Sequence, residues 1–351
     1  MASRYLLPTS LVLLTLSIDF KGIMKLGPKA LIMFLAGSLG IILGGPMALF
    51  VISWVYPEIL GGVGPDEVWR GLSTIAGSWI GGGANQTAML EIFGASPSLF
   101  SQMIAVDVIV ANVWMAVLLF GIGRKEKIDN WFKADNSSIE ELKSKVSTYA
   151  ASVTRNPSLT DLMIILGIAF TAVGLSHWGS NTISDFLKAN FESVNDLTSF
   201  VSTFGDRFFW MVTIATILGI IISFTKLKEY EGAGASKMGS VFIYILVASI
   251  GMKMDLSSVL SNPGLLVVGL IWMSIHVLLL VIVGKIIRAP FFFLAVGSKA
   301  NIGGAASAPI VASAFHPSLA SVGVLLAVFG YIIGTYGAIL SAILMEIVAP
   351  I

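Results

Sequence analysis

The chain has 351 residues, 56% hydrophobic and only 12% charged, with a formal net charge of +1 and no Cys; mean hydropathy is +0.90. That balance excludes an ordinary soluble domain and gives no electrostatic footprint for a nucleic-acid partner. The missing Cys excludes disulfides, thiolate metal sites and Cys nucleophiles. Long apolar runs without two-residue alternation argue against a membrane β-barrel and for an all-α polytopic integral membrane protein.

Residues 6–18 form a short apolar run ending at Asp19. The run has the outline of a signal peptide, but a partner later in the chain favours a retained span. Lys21, Lys25 and Lys29 follow, and Pro28 opens the next segment. Residues 30–55 exceed the ~20 needed to cross a bilayer. An acidic Gly/Pro loop covers 56–70. Residues 72–93, LSTIAGSWIGGGANQTAMLEIF, start apolar, break at Gly81-Gly82-Gly83, and resume as a helix-like segment with Asn85, Gln86, Thr87 and Glu91. Each helix-interior Gly costs roughly 1 kcal/mol relative to Ala, and unpaired polar groups in a bilayer cost several kcal/mol each. A span that accepts both costs is expected to build a site.

After a turn at 94–97, residues 99–120 form a span interrupted by Asp107 and Asn112. Residues 123–159 are the longest polar stretch, with seven Lys or Arg, and Ser138 with Glu141 is a capping-box pattern that predicts a surface helix over 138–151. The basic bias of this stretch reads as cytoplasmic. Residues 161–179 span; 181–206 are amphipathic and expected to lie at the interface; 208–224 span; 225–237 form a charged loop. Spans over 241–251 and 264–284, a second interrupted stretch over 291–315, and a span over 319–348 complete the chain.

That second interrupted stretch contains GSKANIGGAASAPIVASAF. With Gly77 on Gly297 and no gaps, the identities are Gly77/Gly297, Ser78/Ser298, Gly83/Gly303, Ala88/Ala308, Pro97/Pro317, Ser98/Ser318 and Leu99/Leu319, and Thr87 falls on Ser307. Asp19 and Pro28 fall near Asp255 and Pro263. The order of features predicts two copies of one unit: short span, loop, long span, broken span, full span. Repeated units with interrupted helices at corresponding positions point to the binding site of a secondary transporter. The expected organisation is a first repeat over 1–122, a polar cytoplasmic linker over 123–158, a connecting span and interfacial segment over 159–207, and a second repeat over 208–351. The second copy is preceded by 208–224 and the first by nothing, which predicts either an unpaired helix or, as the favoured expectation, missing N-terminal helices. Six crossings from the first short span to its partner give parallel repeats; a re-entrant or additional segment would invert them.

At a break inside a membrane, helix N-termini present N–H groups that favour anions, while unwound carbonyls favour Na⁺. The substrate-binding candidates are therefore Gly82, Gly83, Asn85, Gln86 and Thr87 at the first break and Ser298, Asn301, Gly303, Gly304 and Ser307 at the second. Asp107 and Lys299 are ionisable groups within spans, each by default a functional hypothesis. Together with Glu91, four residues from Thr87 on one helix face, they are the ion-coupling candidates, with Lys299 as the partner of Asp107. No metal site is expected beyond an Na⁺ near Asn85, Thr87 and Asn301. His276, within a span, serves packing or a proton relay; His177, His276 and His316 are too scattered for a metal motif. No H-E-x-x-H or G-x-S-x-G motif occurs, and no enzyme is expected.

The stretches SRYLLPTSLVLLTLSID, GSWIGGGANQTAM, EGAGASKMGSVFIYILVASIGMKMDL and GSKANIGGAASAPIVASAF resemble the YjcL-like membrane family of unknown function, over nearly the whole chain. The resemblance places the chain with the cation:proton antiporter and bile-acid:sodium symporter superfamily. It implies a core with two crossed broken helices, a second panel domain, inverted repeats and elevator-like alternating access. The resulting expectation is a secondary active transporter, in the plasma (inner) membrane if the source is bacterial. It would move a small anionic or zwitterionic solute by symport with Na⁺ or H⁺. The rivals are a cation/proton antiporter without organic substrate and a structural or sensory membrane protein. No cofactor is expected beyond the coupling ion; the partners are the solute, the bilayer and, in a homodimer, a second copy.

Overall fold

The computed structural model describes residues 3–16, 26–135, 137, 139, 156–195, 204–252, 262–316 and 319–349. In chain order the α-helices are α1 (Ser3–Leu16), α2 (Pro28–Val55), α3 (Val68–Gly81), α4 (Gly83–Phe93), α5 (Pro97–Ile122), α6 (Lys125–Phe132), α7 (Leu159–Asn190), α8 (Arg207–Ser223), α9 (Ala235–Gly251), α10 (Gly264–Ile286), α11 (Phe291–Asn301), α12 (Gly304–Phe315) and α13 (Ala320–Val348). No strand occurs among the described residues. Among the described residues five helices are long and apolar enough to cross a membrane: α2, α5, α7, α10 and most of α13. A sixth crossing results if α8 and the 3₁₀ helix Lys226–Ala233, which meet at 97°, count as one bent span.

The chain divides into two compact units. One contains Met1–Ile18, Thr87–Gly94 and Val153–Lys253. Its centre is α1, which packs against α7, α8 and α9. Small residues let these helices approach. A Cβ on Gly239 of α9 would lie 3.0 Å from Leu13 Cβ, and one on Gly219 of α8 would lie 3.0 Å from the Val12 carbonyl oxygen. Ser10 donates across the same contact to the Gly239 carbonyl at 2.8 Å. Leu13, Leu16, Ile165, Ala169 and Ala235 form the apolar core.

Two elements of this unit differ from the sequence expectation. α7 begins with a capping box between Ser158 and Asp161 and runs unbroken to Asn190, so 181–190 extend the preceding helix. No Gly or Pro follows Gly179 to stop it. The charged segment after α8 is helical rather than an open loop. Its Glu231 accepts hydrogen bonds from the Ser236 N–H at 2.9 Å and hydroxyl at 2.5 Å, which ties it to the start of α9. The capping pattern at Ser138, together with Asp19, Lys253, Asp255, Pro317 and Ser318, lies outside the described residues.

The second unit contains Asp19–Gln86, Ala95–Ser152 and Met254–Ile351. Its α2 and α10 pack along a glycine face. A Cβ on Gly40 would sit 3.0 Å from His276 Cα, and one on Gly44 would meet the Trp272 ring at 2.5 Å. Small residues are the usual means of such close approach in membrane helices. Trp272 uses the proximity: its Nε1 donates to the Ile41 carbonyl at 2.8 Å, and its ring lies 5.1 Å from that of Trp79. On another face of α2, Leu35, Leu39, Leu43, Met47, Phe50 and Trp54 are exposed, a continuous apolar stripe of the kind lipid covers. α13 packs against α2, α3, α11 and α12.

Candidate functional site

The chain leaves a helix and starts another at the two places where glycine interrupts an apolar run. α3 ends at Gly81, and Gly82 adopts φ 78 and ψ −170. That combination is essentially open to Gly alone. Gly82 N–H closes the last turn on Ser78 O at 2.9 Å, and Gly82 O accepts from Gln86 N–H at 3.0 Å as α4 begins. In the second place α11 ends at Asn301, Ile302 is extended, and Gly303 (φ 99) and Gly304 (φ 53) turn the chain into α12. No side chain caps the start of α12. Both pre-break helices end beside α13: a Cβ on Gly330 would lie 2.8 Å from Ile80 O and 3.5 Å from Ala300 O.

Each break has a buried asparagine that holds it to a long helix. Asn85 follows the first. Its Nδ2 donates to Tyr331 O at 3.1 Å, and its Oδ1 accepts from the Thr335 hydroxyl at 2.7 Å, both on α13. Gly81 and Gly334 leave the room; a Cβ on either would collide with Asn85 Nδ2. Asn301 precedes the second break. Its Nδ2 donates to Phe34 O at 3.0 Å and Gly297 O at 2.9 Å, while its Oδ1 accepts from the Ser38 hydroxyl at 2.7 Å. Two of these three partners lie on α2. Both amides are thus engaged within the protein; each amide oxygen retains a second lone pair.

α5 connects the two breaks along one face. Asp107 is buried. Its Oδ2 accepts from Ser78 Oγ at 2.6 Å and Gln86 Nε2 at 3.2 Å, and its Oδ1 accepts from Trp79 Nε1 at 2.8 Å. The carboxylate therefore gathers the last turn of α3 and the first of α4. Four residues on, Ala111 O accepts from Lys299 Nζ at 3.5 Å. Three further, Trp114 Nε1 donates to Ser298 Oγ at 2.8 Å. Positions 107, 111 and 114 fall on one helix stripe. Lys299 is only 2% exposed, and a Cβ on Gly303 would lie 3.3 Å from its Nζ, so the ammonium sits beside the second break. Asp107 and Lys299 form no salt bridge; α5 directs the first to one break and offers a carbonyl to the second.

His276 joins the same network. Its Nδ1 lies 2.9 Å from Gly37 O and its Nε2 2.8 Å from Ser298 Oγ. A carbonyl only accepts, so Nδ1 carries the proton in this arrangement. Ser298 then donates to Nε2 and accepts from Trp114, a continuous chain from α5 through α11 to α10 and α2. Of the other candidates, Gly83 and Gly303 are exposed, Gly82, Gln86 and Ser307 are half-buried, and Gly304 is buried. Ser307 Oγ donates to Ile302 O at 3.4 Å across the turn. Thr87 and Glu91 belong to the other compact unit, Thr87 buried and Glu91 exposed. Asn112 is spent on its own helix, donating to Val108 O at 2.7 Å. Among the described residues no group of three His, Asp or Glu could hold a metal ion.

Ser78, Trp79, Trp114, Ser38 and Thr335 are site residues that sequence reasoning missed. The 107–111–114 spacing was a signal for Trp114. Nothing local marks Ser38 or Thr335, whose roles come from packing between distant segments.

A chain whose described residues are helical, with five to six helices apolar and long enough to cross a membrane, is an integral, multi-pass membrane protein. Residues 1–348 match the family described as "Protein of unknown function (DUF819)", and the chain belongs to it. It is 26% identical over 343 residues to the "Uncharacterized membrane protein YjcL" of Bacillus subtilis (strain 168), covering 95% of this chain and 80% of that protein.

Proposed function

We propose that the protein is a secondary active transporter, not an enzyme, and that the two breaks form its solute and ion sites. The supporting observation is the paired geometry: glycine turns at Gly82 and Gly303, each beside a buried Asn, joined by the Asp107–Ala111–Trp114 stripe. We read α3–α4 and α11–α12 as the discontinuous helices of two repeats. The second break suits the negative group of an anionic or zwitterionic solute, because the Lys299 ammonium and the N-terminus of α12 converge there. The first suits the coupling ion, Na⁺ or H⁺, because the Asp107 carboxylate is held there by neutral donors only. Asn85, Asn301 and Ser298 hold the backbone in place; Gly82, Gly83, Gln86, Gly303, Gly304 and Ser307 are the groups nearest a solute.

The buried opposite charges also suit a cation/proton antiporter without organic substrate. Proteoliposomes with an internal pH dye separate the two. The antiporter alkalinises or acidifies the lumen on addition of Na⁺ or K⁺ alone, whereas an H⁺-coupled symporter does so only when its solute is added and a Na⁺-coupled one leaves the pH signal unchanged. In both, Asp107→Asn abolishes ion dependence; ion dependence unchanged in that variant would contradict the role given to Asp107.

A further inference from the structure

A groove of about 380 Å³ lies where α5 runs out into α6. Val117, Leu118, Ile128, Phe291 and the buried Trp114 give it apolar walls, and the exposed Arg124 and Lys127 line it as well. Gly121 makes it possible: a Cβ there would press on the Phe291 ring at 2.7 Å. The walls are fixed. Asp129 on α6 accepts from the Phe291 N–H at 2.7 Å, which docks α6 on the start of α11. The volume holds about a dozen methylene-sized groups, at roughly the ~30 Å³ of a water molecule each.

The groove lies on the apolar outer face of a helix long enough to cross a membrane, where Val113, Val117 and Phe120 are exposed, so lipid is what it meets. Its rim is cationic. The Arg124 guanidinium lies 3.9 Å over the Phe120 ring and Lys285 Nζ 4.0 Å over Trp131, which lines the groove. Stacking leaves both charges available to an anion. Of the nearby acids, Asp129 is occupied by Phe291 and Asp135 by Lys29 and Ser137, and Glu126 is exposed on α6. Among the described residues neither Arg124 nor Lys127 has a carboxylate partner. Basic pockets at the ends of membrane helices, with aromatic side chains at headgroup level, select anionic lipids.

We infer that this groove is a binding site for an anionic phospholipid, one acyl chain along Val117, Leu118 and Ile128 and the phosphate on Arg124 and Lys127. The inference does not depend on the transport reading. The test is native mass spectrometry of the full-length protein in a neutral detergent, titrated with phosphatidylglycerol or phosphatidylcholine of identical chains. Phosphatidylglycerol should be retained in preference as a saturable single adduct. Arg124→Gln/Lys127→Gln should weaken it about 30-fold, the worth of two surface cations. Val117→Trp, which fills the groove from its exposed side and leaves the charges intact, should weaken it at least tenfold. Both sets of substitutions are at exposed positions, so the proteins remain folded, which thermal unfolding in the same detergent verifies. Equal retention of the two lipids, or either variant behaving like the wild type, would overturn the assignment.

Discussion

The two glycine breaks share a plan and differ in charge. At the first, the charged element is a carboxylate: Asp107 draws three donors from both sides of the turn, and Asn85 fastens the new helix to α13. At the second, a lysine stands by the turn with one long hydrogen bond, and Asn301 fastens the outgoing helix to α2. The first break is tightly satisfied, while the second has an ammonium with capacity to spare. An unspent charge beside an uncapped helix start is what a ligand would complete; a satisfied carboxylate holds geometry until an ion or proton rearranges it.

The largest expected effect comes from the two charges themselves. Asp107→Ala strips Ser78, Trp79 and Gln86 of their acceptor and should lower stability by about 2–4 kcal/mol. Lys299→Met removes a weakly compensated buried charge and should be neutral or stabilising. Thermal unfolding in detergent checks the pair, and equal losses would erase the asymmetry. Next come the asparagines. Asn301→Ala breaks three hydrogen bonds and Asn85→Ala two, so the first should cost about 2–3 kcal/mol and the second about 1–2 kcal/mol. The reverse order would mean that α13, not α2, is the stiffer anchor.

Smaller still is the difference between the turns. Both Gly82 and Gly303 have positive φ, so Ala costs roughly 1–2 kcal/mol at either from backbone strain. At Gly82 the new Cβ meets nothing closer than Tyr331 at 3.8 Å; at Gly303 it collides with Ser307 Oγ. Gly303→Ala should therefore be the worse by about 1 kcal/mol, and Ser307→Ala in the same chain should remove the difference. The smallest effect is remote from both breaks and gives their baseline. Hydrogen bonds from Ser137 and then Lys29 lower the Asp135 carboxyl to about 2. Its folded value lies below its unfolded one, so its contribution is present above about pH 4. It fades as pH falls from there towards 2. Asp135→Asn should flatten that segment of the unfolding profile and barely move the midpoint at pH 7, since the pair is exposed.

Much of this was legible in the sequence, for reasons particular residues make plain. Gly81-Gly82-Gly83 and Gly303-Gly304 marked the turns because polar residues stand directly beside them; Gly44-Gly45, without such neighbours, only lets α2 pack closely on α10. Asp107 and Lys299 stood out because burying a charge in a span needs a reason. What the sequence could not give was how they are partnered. Lys299 looked like the counterion of Asp107; each acts on the other's charge, but the two are not in direct contact, and only the 107–111–114 spacing hinted that α5 stands between them. Asn301 looked available to a ligand, but Ser38 and Phe34, far away in the chain, occupy it. The end of α7 was misplaced because polar residues at 181–190 suggest an interface, whereas no residue there stops a helix. The Glu231 segment read as a loop because its charges hide the cap it makes on Ser236.

The central claim, that the breaks form a site for a transported solute, is tested most directly by thermal unfolding of the purified protein. The screen would use carboxylate and zwitterionic metabolites, with and without Na⁺, at pH 6 and 8. The account predicts that at least one anionic or zwitterionic solute stabilises the protein, more so with the coupling ion present, and that Lys299→Gln, though folded, loses the response. No stabilisation by any solute or ion, or a solute response untouched by Lys299→Gln, would contradict it.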